Sequence, residues 1–265
     1  QWELQWDEQK NRLEPNVQVC QFYFDLRQIH SELDELHRQL AARKGTYGSS
    51  LSSVIMTSEA FKTFEQTVTI IEKKIKTFVS TADMMIRDHH YDSRRIRHEV
   101  DEVQKKWAAF FITIGDYRKA LDISKRYFEL QDECEAEING ASQTLLTIGR
   151  RATECKTSED AASLIQELED FKGVFANKQD VRLQEMENIA VELWGPVHGP
   201  AKMQHILDKN QEILNSFLRA IDELGILREN LIRKETILAE MNTVVETHAP
   251  HQPRFVVPLQ NAEIM

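Results

Sequence analysis

The chain has 265 residues, of which 41% are hydrophobic and 29% charged, and its 43 acidic against 33 basic side chains leave a formal net charge of −10. That balance, without a long basic block, excludes a nucleic-acid binder built on a cationic footprint. No apolar run approaches the roughly 20 residues of a bilayer span, which excludes membrane insertion.

Gln1 opens directly into Trp2-Glu3-Leu4-Gln5-Trp6. Residues 1–14 therefore read as the end of a preceding helix, in a piece of a longer protein. From Pro15 to Pro196 no proline interrupts the chain, and nine glycines in all is sparse punctuation. Such a stretch predicts an all-α fold.

The first helix carries an apolar stripe at alternating three- and four-residue spacing: Val19, Phe22, Leu26, Ile29, Leu33, Leu36 and Leu40. That spacing suits a helix that supercoils with partners. The Lys44–Ser50 segment, rich in Gly and Ser, predicts a loop. Thr57-Ser58-Glu59 is a helix-start signal. A second stripe follows at Phe61, Phe64, Val68, Ile71, Ile75, Phe78, Ala82 and Met85. His89–Ser93 is the next break, with Asp92 or Ser93 placed to cap a third helix. Its stripe is Ile96, Val100, Val103, Trp107, Phe110, Ile114, Tyr117 and Leu121. Trp107 is expected in the core, where its truncation would cost about 3–5 kcal/mol if fully buried.

The pattern then recurs, as expected of a duplicated bundle. The first stripe, shifted by 112, reaches Cys134, Ile138, Ala141, Leu145, Ile148 and Ala152. The second, shifted by 100, places Thr57-Ser58-Glu59 on Thr157-Ser158-Glu159 and its apolar residues on Ala161, Leu164, Leu168, Phe171 and Phe175. The third, shifted by 110, gives Ile206, Ile213, Phe217, Ala220, Leu224 and Leu231. These offsets predict a shorter first loop and a longer second loop, around Trp194–Pro200, in the second copy. No loop signal separates Trp107 from Cys134, because Gly115 alone costs a helix only about 1 kcal/mol. One continuous helix is expected to join the copies.

Three heptad helices per unit, repeated after about 110 residues through a shared helix, resemble spectrin repeats. Gln21-Phe22-Tyr23-Phe24-Asp25-Leu26 is similar to the opening of such a repeat, and Val103–Phe110 to its third helix with the Trp. Phe217 stands where a second Trp would be. The resemblance implies two left-handed three-helix coiled-coil bundles, 15–122 and 123–246, in an extended rod. Residues 247–265 read as an extended, proline-containing linker. Within it Pro253-Arg254-Phe255-Val256-Val257-Pro258-Leu259 resembles the start of an intermediate-set immunoglobulin domain. Spectrin repeats combined with such a domain resemble Trio- and kalirin-type exchange factors and myosin-associated coiled-coil proteins.

No catalytic, cofactor-binding or metal-binding residues are expected. His89, His90 and His98 flank a helix break and lack the i, i+4 pairing of a helical metal site. His198, His205, His248 and His251 read as polar surface. Glu133, Glu135 and Glu137 fall on different helix faces and solvate the chain. Cys20, Cys134 and Cys155 read as reduced thiols of a cytoplasmic protein. Tyr23, Phe24 and Phe111 lie beside the seam; they either widen the core or form a face for a partner helix or a second copy. The expected role is a non-enzymatic scaffold, associated with the cytoskeleton, that spaces flanking domains and docks actin- or myosin-linked proteins. The rival role is a regulatory segment of a Rho-family exchange factor.

Overall fold

The computed structural model describes residues 2–248, and every element in them is helical. There are four: α1 (Trp2–Arg43), α2 (Leu51–Arg87), α3 (Ser93–Glu154) and α4 (Ser158–His248). The proline-containing tail, with its immunoglobulin-like stretch, lies outside the described residues.

The chain forms two compact units that are interleaved in sequence. The first takes Gln1–Glu133 and Leu183–Gln204, and the second takes Cys134–Arg182 and the residues from His205 onward.

In the first unit the three stripes meet in one core. Phe22, Leu26, Ile29, Leu33, Leu36 and Leu40 of α1 are buried among Phe61, Phe64, Val68, Ile71, Ile75, Phe78, Ala82 and Met85 of α2. The third side comes from Ile96, Val100, Val103, Phe110, Ile114, Tyr117 and Leu121 of α3. Val19 and Trp107 are only partly buried at the edge of this core. Trp107 is therefore not the central residue its seam position predicts. Phe110, fully buried, takes that place, with its ring 5.8 Å from the indole and 4.7 Å from the His37 ring. At that edge the indole packs against the core and stays partly open to solvent.

The second unit buries Cys134, Ile138, Ala141 and Ile148 of α3 with Ala161, Leu164, Leu168 and Phe175 of α4. Ile206, Ile213, Phe217, Leu224 and Leu231, from the later part of α4, complete that core. Leu145, Ala152, Phe171 and Ala220 of the expected stripes are half-buried at its margin. Among the described residues two polar side chains, Gln179 and Asn210, are enclosed with them. Gln179 is fully buried and donates from Nε2 to the Cys134 carbonyl at 3.1 Å.

The helix ends follow from side-chain caps. α2 starts at Leu51, six residues before the Thr57 signal. Ser50 is its N-cap: Ser53 N–H donates to Ser50 Oγ at 3.3 Å, and Ser50 N–H donates to Ser53 Oγ at 3.1 Å. A Ser at the third helical position closes the box that Glu or Gln usually closes, so the Ser-rich run reads as loop. Thr57 lies inside the helix, donating its hydroxyl to the Ser53 carbonyl at 2.8 Å. In the second unit the expected start holds. Asp160 N–H donates to Thr157 Oγ1 at 3.1 Å, and Thr157 N–H returns a bond to Asp160 Oδ2 at 3.0 Å.

α2 ends in a Schellman turn. His90 N–H reaches the Met85 carbonyl at 3.1 Å and His89 N–H the Ile86 carbonyl at 3.2 Å. His89 itself holds the left-handed conformation, φ 54, in the position glycine usually takes. Asp92 then caps α3, its carbonyl accepting from Ile96 N–H at 3.0 Å.

The expected long loop at Trp194–Pro200 is absent. α4 is helical on both sides of a single break at Gly195, φ 80 and ψ 167. Pro196 opens the next turn, where its fixed φ suits a helix start and its missing N–H costs nothing. Gly199 is buried against the preceding helix: a Cβ there would stand 2.6 Å from the Ala190 carbonyl oxygen. The second connection thus shrinks from residues 88–92 in the first unit to Gly195, the reverse of the expected lengthening. The first connection does shorten, from 44–50 to 155–157. α3 runs unbroken through Gly115 and Cys134, as the sequence predicts.

Candidate docking surfaces

Among the described residues no group of three or more His, Cys, Asp or Glu side chains gathers as a metal site. The histidines at the α2–α3 connection do structural work. His90 Nε2 donates to the Pro15 carbonyl at 2.9 Å, while its Nδ1 accepts from Asp92 N–H at 3.2 Å. Those two bonds define one neutral tautomer and tie the connection to α1. His98 is exposed. Cys20 is exposed, Cys134 buried and Cys155 half-buried. Burial and the nearby Asp160 carboxylate raise the Cys155 thiol above its ordinary range, which lowers its thiolate fraction.

The three off-seam aromatics have separate fates. Tyr23 is half-buried and packs on the core. Its hydroxyl donates to Asp92 Oδ2 at 2.8 Å, and the Arg95 guanidinium lies 5.5 Å over its ring. Burial, then the bond to Asp92, pushes its phenol up to about 12. Tyr23 is a strut that braces the start of α3. Phe24 and Phe111 are more than half exposed. Phe111 lies 6.2 Å from the Trp107 ring, and the next residue, Ile112, is exposed as well.

A groove of about 940 Å³ follows the α1–α2 seam and is lined by Val17, Phe22, Ile29, Ile70, Phe78 and Met84. Its open side is apolar because Val17, Ile70 and Met84 remain exposed. Adjacent apolar pairs carry the sequence signal for it. In Ile70-Ile71 and Met84-Met85 one member points to the core, and the other, about 100° round the helix, cannot follow it. The rim holds Lys74, 2.6 Å from Glu32 Oε1, along with Lys73, Asp25 and Asp88. Signs are mixed there, and an exposed pair contributes at most about 1 kcal/mol. No described helix is long and apolar enough to cross a membrane.

Comparison with known proteins bears on these surfaces. Residues 18–123 match the spectrin repeat model, the stretch in which α1, α2 and α3 close the first core. The chain is 22% identical over 222 residues to human coiled-coil domain-containing protein 141, covering 81% of the chain and 14% of that protein. It is 21% identical over 185 residues to the rat guanine nucleotide exchange factor DBS, covering 69% of the chain and 16% of that protein. It is 21% identical over 229 residues to the Drosophila melanogaster spectrin beta chain, covering 84% of the chain and 9% of that protein. The chain thus spans less than a fifth of the length of each of these relatives.

Proposed function

We propose that this chain is a non-enzymatic structural segment, a tandem of two spectrin-like repeats at about residues 15–122 and 123–246, that spaces flanking domains and docks protein partners. One observation carries the reading. The spectrin-repeat match coincides with a closed three-helix core whose outward faces still expose Phe24, Ile70, Met84, Phe111 and Ile112. The core closes without those residues, and apolar side chains gathered on outward helix faces suit contact with other proteins. The partners proposed are cytoskeletal proteins linked to actin or myosin, in a cytoplasmic setting, with self-association through the Phe24 and Phe111 faces as a further mode. The relatedness to spectrin beta chain supports the cytoskeletal assignment.

A second reading rests on the relatedness to the exchange factor DBS. There the segment regulates a catalytic domain that belongs to another part of the parent protein. Proximity labelling with the full chain separates the two. Recovery of actin- or myosin-linked proteins supports the first, and recovery of Rho-family GTPases with their regulators supports the second. Labelling no different from that of an unrelated helical protein would overturn both. The immunoglobulin-like expectation for residues 247–265 belongs to the same proposal, and circular dichroism of a longer chain showing new strand content would support it.

A further inference from the structure

A second cleft, of about 760 Å³, lies inside the first compact unit. It opens where the α1–α2 connection meets α3 near Tyr127 and α4 near Trp194. Its aromatic lining falls in two pairs. Tyr47 stands 5.6 Å from Tyr117, and Tyr127 meets Trp194 edge-on at 5.0 Å. Burial raises the pKa of both Tyr117 and Tyr127. Both stay neutral donors at physiological pH, to the Thr46 and Lys202 carbonyls at 3.3 Å each.

The charged groups on this lining are Arg43 and Lys202, with no carboxylate among them, in a chain whose acidic residues outnumber its basic ones 43 to 33. Among the described residues neither cation pairs with a carboxylate. Arg43 instead donates from Nη1 to the Gln39 carbonyl at 2.8 Å and lies 4.8 Å over Phe64. Lys202 Nζ lies 5.9 Å over the Trp194 ring. Two cations held on aromatic rings without a counter-charge are poised for an anionic partner. The α1–α2 groove offers no such selection, since its rim carries both signs.

The cleft is also preformed. Gly45 and Gly48 hold φ 84 and 103, and a Cβ on Gly48 would meet Ser53 Oγ and Val54 Cγ2 at 2.7 Å. The connection is therefore fixed against the start of α2, and a ligand that enters spends little on ordering it.

We propose that this cleft binds an acidic peptide segment of a partner protein, with carboxylates meeting Arg43 and Lys202 and an apolar side chain lying on the Tyr127–Trp194 pair. The proposal rests on the docking reading above and gives it a surface and a ligand chemistry.

The test follows the Trp194 indole N–H by nuclear magnetic resonance in the full chain, assigned through Trp194→Phe. The probes are a capped Glu-Glu-Phe-Glu-Glu-Leu peptide, its Lys-for-Glu counterpart and inorganic phosphate at matched ionic strength. The acidic peptide is expected to shift Trp194 saturably and leave Trp107 in place. The Arg43→Gln, Lys202→Gln pair should weaken that response about tenfold or more. Lys202 is exposed, so Lys202→Gln alone keeps the test valid if the pair loses helix content. Equal response to the basic peptide, equal response to phosphate, or an unchanged response in Lys202→Gln overturns the proposal. A full chain that labels its partners equally well with both cations removed overturns this cleft alone. A full chain that labels no partner overturns the docking reading itself.

Discussion

Gly199 faces the backbone of Ala190 so closely that a methyl group on it would stand 2.6 Å from the Ala190 carbonyl oxygen. The obstacle is main chain, which cannot rotate away as a side chain would. Gly199→Ala is expected to destabilise the first unit by about 1–3 kcal/mol, read as a lower urea midpoint. Gly195→Ala acts separately. Its φ of 80 with ψ 167 falls in a region essentially reserved for glycine, and the strain is about 1–3 kcal/mol. If both variants melt like the parent chain, the tight reversal of α4 is wrong.

His89 is the opposite case, a side chain in a position where glycine is better. With φ 54 at the C′ position of the Schellman turn, His89→Gly should raise stability by about 0.5–1 kcal/mol. A fall in melting temperature would show that the imidazole makes a contact worth more than the strain.

The Tyr23 phenol is raised from 10.0 to about 12 in the folded chain. The folded value lies above the unfolded one, so the contribution is full below the unfolded pKa of about 10 and is lost as pH climbs through the folded value. Stability should therefore decline between about pH 10 and pH 12, and Tyr23→Phe should flatten that limb in urea titrations at fixed pH. An unchanged limb would place the alkaline sensitivity elsewhere.

Glu235 behaves with the reverse sign. The Ser158 backbone N–H and hydroxyl both donate to its carboxylate at 2.7 Å, lowering its pKa. That contribution is present above the ordinary Glu pKa near 4.3 and is lost as pH falls through the lower folded value. Glu235→Gln should weaken the chain at neutral pH and remove part of its loss of stability in acid. An acid limb identical to the parent's refutes the coupling.

Gln179 is enclosed in the second unit with its Oε1 lacking a hydrogen-bond partner. Gln179→Met keeps the volume and removes the desolvated amide, which should stabilise the chain by about 1 kcal/mol. A loss of that size instead would mean that the bond from Nε2 to the Cys134 carbonyl outweighs the unpaired oxygen.

Both cores were legible because a buried stripe repeats locally: each residue from Phe22 to Leu40 needs only its own helix to reveal it. The connections were harder. Ser53 at the third helical position hid the start of α2, and the prolines at 196 and 200 suggested a loop where Pro196 in fact opens a helical turn. Trp107 sits shallower than its seam position predicts because heptad position says which face a residue takes, while packing against the neighbouring helices decides how deep it sits. The cleft was illegible in sequence for another reason. Arg43, Tyr127 and Lys202 lie far apart along the chain, and their meeting depends on the reversal at Gly195.

The interleaving of the two units sets an order on synthesis. Arg126 and Tyr127 leave the ribosome with the first unit, but Glu185 and Lys202, which they bond, follow only after Cys134–Arg182 has been made. At about 5–20 residues per second the delay is on the order of several seconds. The nascent first unit waits through that interval with Tyr127, Phe128 and the Arg43 side of the cleft uncovered. Translational pausing within 134–182 would prolong this state, and chaperones that grip exposed aromatic surface would find it there.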